Sequence, residues 1–305
     1  MFKISIGVFA HNEEKNIKGL LESLLDQKLK HTQLKEIIVV SSSTDQTNQI
    51  VENIAQKHHL VKLLAEKKRQ GKASAINQFL KVAQGDLLVL ESGDTLPLKN
   101  TLSELIKPFD SPQVGMTGAH PLPVDNPQEF LGFVSHLLWR IHHRIALKEP
   151  KCGEMIAIRK GIVQEIPAQT AVDEAMFEAL ITKKGYKVVY VPSAIVKNKG
   201  PETIIDFLKQ RRRITAGHLH LQKQMCYSVS TASPFKILRY ILPEIKEQPT
   251  KIHFILGAIL LEGWGRLLGY YDFYFKKKNP YKWEIAQSTK KDLKNASTTL
   301  ENPRL

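Results

Sequence analysis

The chain has 305 residues, of which 42% are apolar and 24% are charged. This composition is typical of a globular protein and excludes collagen, long coiled coils and wholesale disorder. The 44 basic and 30 acidic residues give a net charge of +14, which indicates an anionic partner: nucleic acid, a membrane surface or a phosphate-bearing substrate.

Strands and helices are predicted to alternate over the first hundred residues. Branched apolar runs predict buried strands at 4–10, 36–40, 60–65 and 87–90, and helical spacing predicts helices at 13–29, 45–58 and 72–82. This alternation predicts an α/β fold with a Rossmann-like, mostly parallel central sheet flanked by helices. Ligands bind such sheets beyond the carboxyl ends of the strands. These ends carry three polar clusters, 11–14, 41–45 and 91–95.

The second half of the chain is more mixed. Strands are predicted at 114–120, 152–159 and 187–191, and helices at 130–145, 174–184 and 202–221. The last sixty residues alternate apolar helical stretches with lysine-rich breaks, and the end from Ser288 is predicted to be frayed.

The sequence also predicts the compartment. Cys152 and Cys226 are too few for a disulfide framework, which favours reducing conditions. The start of the chain lacks a secretory h-region and cleavage site, and the longest uncharged apolar run, 252–261, is about half of a membrane span. We therefore expect a cytoplasmic protein without a spanning helix, peripheral at most on the inner face of the cytoplasmic membrane.

Three clusters carry candidate chemistry, and each has a plain structural alternative. Glu91–Thr95 places carboxylates where a divalent cation and a diphosphate could meet, or forms a simple turn. Asp173 and Glu174 could supply a general base, or only stabilise the start of a helix. The arginines in 210–213 suit phosphate oxygens, or form a solvated basic face.

Common nucleotide and zinc motifs do not fit. A phosphate loop ending at Gly71 and Lys72 would need glycine where Glu66 stands. The glycines at 263–269 miss the dinucleotide spacing, and the paired histidines lack further ligands at zinc spacing. ATPase, dehydrogenase and zinc chemistry are therefore not expected.

The order of the motifs along the chain resembles that in the family 2 glycosyltransferases with a GT-A fold, over about residues 3–222. The resemblance rests on 5–14, 37–47, 71–77, Gly85-Asp86, Asp94-Thr95, Asp173-Glu174 and 210–213. From 174 to 210 the spacing looks like that of the catalytic domain of membrane polysaccharide synthases.

The resemblance implies roles for individual residues. Glu174 would be the catalytic base with Asp173 beside it, and Asp94 would hold Mg²⁺ or Mn²⁺ on the donor diphosphate. The donor-binding residues would be Ala10, Asn12, Glu13, Ser41, Lys72, Ser92, Asp94, Arg211 and Arg213. The acceptor side would be lined by Cys152, Gly153, Glu154 and Gln210.

Four positions depart from the family pattern. Ser92 stands where the first acid of the DxD motif is expected, which thins the metal shell unless Glu91 takes part. Ser41 replaces the acid that contacts the donor base, and Glu174 replaces the commoner Asp. Ile214 replaces the tryptophan that ends the QxxRW motif, which argues against processive polymerisation.

The sequence therefore predicts an inverting, metal-dependent glycosyltransferase. It would move a sugar from a nucleotide-diphosphate sugar to a hydroxyl of a glycan, lipid or polyprenyl-phosphate type acceptor, without processivity. The expected domains are a catalytic domain at 1–222, with a nucleotide-binding half at 1–110 and an acceptor half at 111–222, and a helical extension at 223–305.

Two other classes remain open. A sugar nucleotidyltransferase would carry a glycine-rich loop near the N-terminus, where 11–14 is not one. A non-catalytic basic module binding RNA or membrane would leave the acidic clusters unexplained.

The C-terminal extension either packs on the catalytic domain or lies on an anionic leaflet. Its local charge of +5 over 276–305, eight basic minus three acidic residues, favours a membrane surface or lipid phosphate over nucleic acid.

Overall fold

The computed structural model describes residues 1–30, 32–282, 287–290 and 293. Its strands form one eight-stranded sheet in the order β3-β2-β1-β4-β7-β6-β8-β5. The strands are β1 (Phe2–Ala10), β2 (Thr32–Ser41), β3 (Val61–Ala65), β4 (Leu87–Ser92), β5 (Thr95–Pro97), β6 (Val114–Pro123), β7 (Ile156–Arg159) and β8 (Lys187–Asn198). The helices are α1 (Ile17–Leu25), α2 (Thr47–Ala55), α3 (Lys72–Val82), α4 (Thr101–Ile106), α5 (Phe130–Ala146), α6 (Asp173–Lys183), α7 (Ile204–Met225), α8 (Pro234–Glu247) and α9 (Ile252–Tyr274).

The sheet is parallel where the sequence alternates strand and helix. β1 pairs in parallel with β2 and β4, β2 with β3, and β6 with β8. β7 runs antiparallel to both β4 and β6, and β5 antiparallel to β8. The α/β fold with a mostly parallel sheet is thus confirmed, with β7 joining the two halves of the sheet.

Helices cover both faces of the sheet. One core packs α3 and α6 against it around the fully buried rings of Phe79 and Phe177. The other core packs α1, α2 and α4 on the opposite face. A Cβ at Gly7 in β1 would lie 2.7 Å from the Phe79 ring, so only glycine lets α3 approach this closely. The carboxyl ends of β1, β2 and β4 are thereby held beside the start of α3.

The C-terminal helices form a third core with α5. Phe133 and Ile141 of α5 pack with Ile241 of α8 and Ile255 of α9. This core explains why the apolar stretches after residue 222 fold onto the domain.

One helix in the described part of the chain, Pro249–Tyr274, is long and apolar enough to cross a membrane by length and composition. Glu262 and Arg266 lie within this helix and pair with each other, and the expectation of a protein without a spanning helix stays a prediction. The charge excess counted over 276–305 and the frayed end predicted from Ser288 fall largely outside the described residues.

Candidate active site

Lys72, the first residue of α3, contacts polar side chains at the end of β4 and at the start of α6. Its ammonium nitrogen lies 2.9 Å from Asp173 Oδ2 and 3.2 Å from Glu174 Oε1. The same nitrogen donates to Ser92 Oγ, at the end of β4, over 3.2 Å. Burial opposes the charge on Lys72, but the two carboxylates outweigh burial and raise its pKa. A single cation thus joins three segments that are far apart in the sequence.

The backbone before Lys72 turns sharply. Gly71 has φ of +104°, a conformation that residues with a side chain rarely adopt. A Cβ there would also lie 2.9 Å from the carbonyl oxygen of Tyr281. Glycine at this position therefore allows both the turn into α3 and the close passage of the chain after α9.

The acid pair opens α6, where the helix macrodipole stabilises negative charge. Burial raises the pKa of Asp173, and the neighbouring Glu174 raises it further. Burial acts in the same direction on Glu174, but Lys72 and Lys151 lower its pKa below the ordinary value. Glu174 is therefore a carboxylate at neutral pH, the state in which it can accept a proton.

A second acidic group follows β4. Burial raises the pKa of Asp94, which lines the cavity. Burial also raises the pKa of Glu91 to about 8. Glu91 Oε1 accepts a hydrogen bond from Thr95, whereas its Oε2 is buried and accepts none from the described residues.

These groups suit a divalent cation that takes most of its ligands from a diphosphate and water. Burial and the nearby Asp94 raise the pKa of Glu154 to about 7, so two carboxyl groups face the same space. Among the described residues, no cluster of three His, Cys, Asp or Glu side chains is placed to hold a metal ion. Mg²⁺ commonly binds through one or two carboxylates together with substrate phosphates. Asp94 is placed where it could supply one such carboxylate.

The residues predicted to bind the acceptor also line this cavity. The N–H of Cys152 donates to Glu178 Oε1 over 2.6 Å, and burial raises the thiol pKa well above its ordinary value. Glu154 has φ of +58° and accepts a hydrogen bond of 3.2 Å from Asn198. Cys152 thus shapes the wall as an inert thiol, while Glu154 presents a carboxyl group to the cavity with Gly153 and Gln210 beside it.

Only one of the three consecutive arginines faces the acid pair. Arg213 is partly buried, and its Nη1 donates to the carbonyl oxygen of Ala171 over 3.1 Å. Burial lowers its pKa, and the charges of Asp173 and Glu174 oppose this change. Arg213 therefore places a guanidinium group next to the candidate base.

The other two arginines turn toward α9. Arg211 lines the cavity, but its Nε lies 3.7 Å from Glu262 Oε2. Arg212 forms an ion pair with Asp272. Successive residues on a helix point about 100° apart, so the three side chains divide between the active site and α9.

Two of the predicted donor residues join loops instead of lining the cavity. Asn12 Oδ1 accepts a hydrogen bond of 2.8 Å from the N–H of Thr44. Ser41 is fully buried and donates to Ser43 Oγ over 2.8 Å. These hydrogen bonds hold the loops after β1 and β2 in place next to Ala10 and Glu13, which line the cavity.

One cavity of about 830 Å³ unites the site. Of the residues predicted from sequence, its walls contain Ala10, Glu13, Lys72, Ser92, Asp94, Cys152, Gly153, Glu154, Asp173, Glu174, Gln210, Arg211 and Arg213. Sequence reasoning missed Lys290, which lies beside Asp94, and two further lining residues, Trp139 and His218. Only the helical spacing of 130–145 could have placed Trp139, and no local pattern marks Lys290.

The family of the chain follows from its sequence. The model of "Glycosyl transferase family 2" matches residues 5–162, and that of "Glycosyl transferase family group 2" matches residues 88–268. The first match spans 158 of the 305 residues. The chain therefore belongs to glycosyl transferase family 2.

Individual relatives support this membership. A probable glycosyltransferase of Bacillus subtilis (strain 168), YdaM, is 22% identical over 72% of this chain. The dolichol-phosphate mannosyltransferase of Pyrococcus furiosus is 24% identical over 74% of this chain and 68% of its own length. The chain spans only 56% of the length of the Bacillus protein.

Solved structures show the same GT-A fold. The mannosyltransferase PcManGT of Pyrobaculum calidifontis, solved with GDP-Man and Mn²⁺, has a TM-score of 0.65 at 20% identity. That match covers 91% of this chain and 88% of the other. The glucosyl-3-phosphoglycerate synthase of Mycobacterium tuberculosis, solved with Mn²⁺ and UDP, has a TM-score of 0.51 at 17% identity. It covers 73% of this chain and 80% of the other.

Proposed function

We propose that the chain is an inverting glycosyltransferase that moves a sugar from a nucleoside-diphosphate sugar to an acceptor hydroxyl, with Glu174 as the general base. The arrangement around Lys72 carries this proposal, because it holds the candidate base beside the end of β4, where the donor diphosphate would lie. A panel of nucleotide-sugars, assayed with Mn²⁺ for release of free nucleoside diphosphate, tests it. Release from none of them would contradict it.

The reaction would be a single in-line displacement at the anomeric carbon. The acceptor oxygen bonds to this carbon as the bond from the carbon to the diphosphate oxygen breaks, and Glu174 takes the hydroxyl proton. Lys72 and Arg213 would attract the charge that develops on the leaving diphosphate, which is commonly a large term in such reactions. When bound at Asp94, a Mg²⁺ or Mn²⁺ ion would add charge neutralisation at the same oxygens.

The position of Lys72 also explains how Glu174 stays ready for proton transfer. The ammonium group of Lys72 contacts both Asp173 and Glu174, so one positive charge lies between the two carboxyl groups. Lys151 adds a second positive charge that lowers the pKa of Glu174. The carboxylate is therefore ionised before the acceptor arrives, and it needs no separate partner to remove its proton.

We further propose that transfer is non-processive. Ile214 stands where the stacking tryptophan of processive synthases would be, and it lines the cavity. An isoleucine offers no flat aromatic face for a sugar ring. The acceptor is a hydroxyl of a glycan, a lipid or a polyprenyl-phosphate type molecule, in keeping with the dolichol-phosphate mannosyltransferase among the relatives.

Replacing Asp94 by alanine tests the proposed metal site. We expect the enhancement of UDP or GDP binding by Mn²⁺ to fall at least about tenfold, because the carboxylate that would hold the ion is lost. Isothermal titration calorimetry with Mn²⁺ and with EDTA measures this enhancement. Asp86→Ala is a matched control, because Asp86 lies at the opposite end of β4 and binds the N–H of Lys3. An unchanged enhancement in the Asp94 variant would contradict the metal role.

We also propose that α9 lies against an anionic membrane, at the inner face of the cytoplasmic membrane. One face of α9 packs on α5 and α7, so part of the extension does pack on the domain. Its other face exposes large side chains, with Leu260 at 75%, Trp264 at 56% and Leu267 at 61%. Three exposed lysines, 276–278, follow directly. An apolar face with aromatic and basic residues is typical of helices that lie in the membrane interface.

The double variant Leu260→Glu/Leu267→Glu tests this contact. We expect the fraction bound to vesicles of phosphatidylcholine and phosphatidylglycerol to fall by about tenfold or more, since each leucine contributes roughly 1.5 kcal/mol or more when buried. Vesicle co-sedimentation measures the loss. Val82→Glu, at an exposed apolar position on α3 away from α9, is the control. Equal binding of wild type and the double variant would remove α9 as the membrane contact.

A further inference from the structure

The chain after α9 returns to the donor side of the cavity. The backbone N–H and the hydroxyl of Ser288 donate to Asp206 Oδ2 over 3.3 Å and 2.7 Å. The N–H of Glu202 donates to Ser288 Oγ over 3.2 Å. Leu293 is buried, and its N–H donates to Asn16 Oδ1 over 3.2 Å. The chain is thereby held against α7 on one side of the cavity and against α1 on the other.

Lys290 lies between these two attachments. Its ammonium group forms an ion pair with Glu13 and lies 3.7 Å from Asp94 Oδ2. The Lys290 side chain is 21% exposed and lines the same cavity as Lys72. A positive charge from the end of the chain is therefore placed beside the carboxylate that was predicted to hold the metal.

Two ammonium groups at the end of β4 offer hydrogen-bond donors to an anion, beside the carboxylates that pair with them. Ser92 is neutral where a second carboxylate was expected, and it accepts a hydrogen bond from Lys72. Lys290 stands by Asp94, so two ammonium groups approach the two ends of the segment Ser92–Asp94. An ammonium has three donor hydrogens. Lys290 can therefore contact Glu13 and Asp94 and still donate to a phosphate oxygen.

We propose that Lys290 is a donor-binding residue that contacts the diphosphate and supplies part of the charge otherwise provided by a divalent cation. This inference rests on the proposed function, because it requires a nucleoside diphosphate in the cavity. Ammonium–phosphate hydrogen bonds are charge-assisted and among the stronger ones in proteins. Binding of nucleoside diphosphate by this chain is therefore retained in part when divalent cations are removed.

The experiment is calorimetric titration of the full chain with UDP and with GDP, each in EDTA and in Mn²⁺. We expect Lys290→Met to weaken binding of the preferred nucleotide by about tenfold to hundredfold in EDTA, the value of one charged hydrogen bond. In Mn²⁺ the loss is smaller, because the ion supplies charge at the same oxygens. Lys290→Arg is expected to keep most of the affinity in EDTA, since it retains the charge.

Lys62→Met is the matched control, because Lys62 pairs with the buried Glu36 on β2, between β2 and β3 and outside the cavity wall. Thermal unfolding of each variant verifies that it is folded. Equal affinity of wild type and Lys290→Met in EDTA would overturn the proposal. Tighter binding by the variant would overturn it too, and would show that this segment competes with the donor. A wild type that binds neither nucleotide in Mn²⁺ would instead overturn the proposed function, and the role of Lys290 with it.

Discussion

Replacing Glu174 by glutamine is expected to lower kcat by about 10²- to 10⁴-fold, the usual contribution of a positioned general base. The amide keeps the size of the side chain but cannot take the acceptor proton. The Kd for the nucleoside diphosphate is expected to change little, because Lys72 still has Asp173 as a partner. Initial rates at saturating donor, together with calorimetric Kd values, separate the two quantities.

Glu165→Gln provides the control for this variant. Glu165 is an exposed glutamate of the acceptor half, so its replacement removes a negative charge without touching the acid pair. Wild-type kcat is expected there. If Glu174→Gln transferred sugar at the wild-type rate, another group would have to accept the proton.

Replacing Lys72 by methionine is expected to lower the free energy of unfolding by about 3 kcal/mol, since it leaves two mostly buried carboxylates without their cation. We take the lower end of the usual range because about a fifth of Lys72 and of Glu174 remains exposed. Sugar transfer is expected to be lost as well. Urea unfolding at several pH values measures the change in stability.

The stability loss in Lys72→Met has a predictable pH dependence. Without the ammonium, the folded-state pKa of Asp173, which burial and Glu174 already raise, rises further, and the pKa of Glu174 rises because its strongest lowering influence is lost. Protonation then favours the folded state, so the loss shrinks as the pH falls and grows as it rises. The double variant Lys72→Met/Asp173→Asn is expected to recover part of the stability but no activity. A loss that does not vary with pH would contradict the electrostatic origin.

Much of the fold and of the site geometry could be predicted from local patterns. The apolar runs of β1, β2 and β4 end at polar residues, and parallel strands bring such ends to one edge of a sheet. The clusters 11–14, 41–45 and 91–95 were therefore expected near one another, and the resemblance added Lys72 and the acid pair. The structure places members of all these groups around one cavity. The roles assigned to these residues stay predictions until the variants are measured.

Other features depended on contacts between distant segments. Asn12 and Ser41 were expected to face the donor, but hydrogen bonds across the loops after β1 and β2 turn them inward. The position of Lys290 depends on the path of the chain after α9, and no periodic pattern in the sequence predicts that path. α9 continues past the uncharged run 252–261, and Glu262 and Arg266 pair with each other within the helix. In each case the position of a side chain depends on the residue that it contacts, and spacing in the sequence does not identify that residue.

If α9 lies on a membrane as proposed, its contact with α7 sets the distance between that membrane and the cavity. A Cβ at Gly265 or at Gly269 would lie 2.6 Å from side-chain atoms of α7, so the two helices touch at backbone distance. Arg212 adds an ion pair to Asp272 across the same contact. α7 also carries Arg213 beside the candidate base. A bilayer in contact with α9 would therefore hold Glu174 and Arg213 at a fixed distance from its surface. Acceptors would be selected by whether their hydroxyl group reaches that distance.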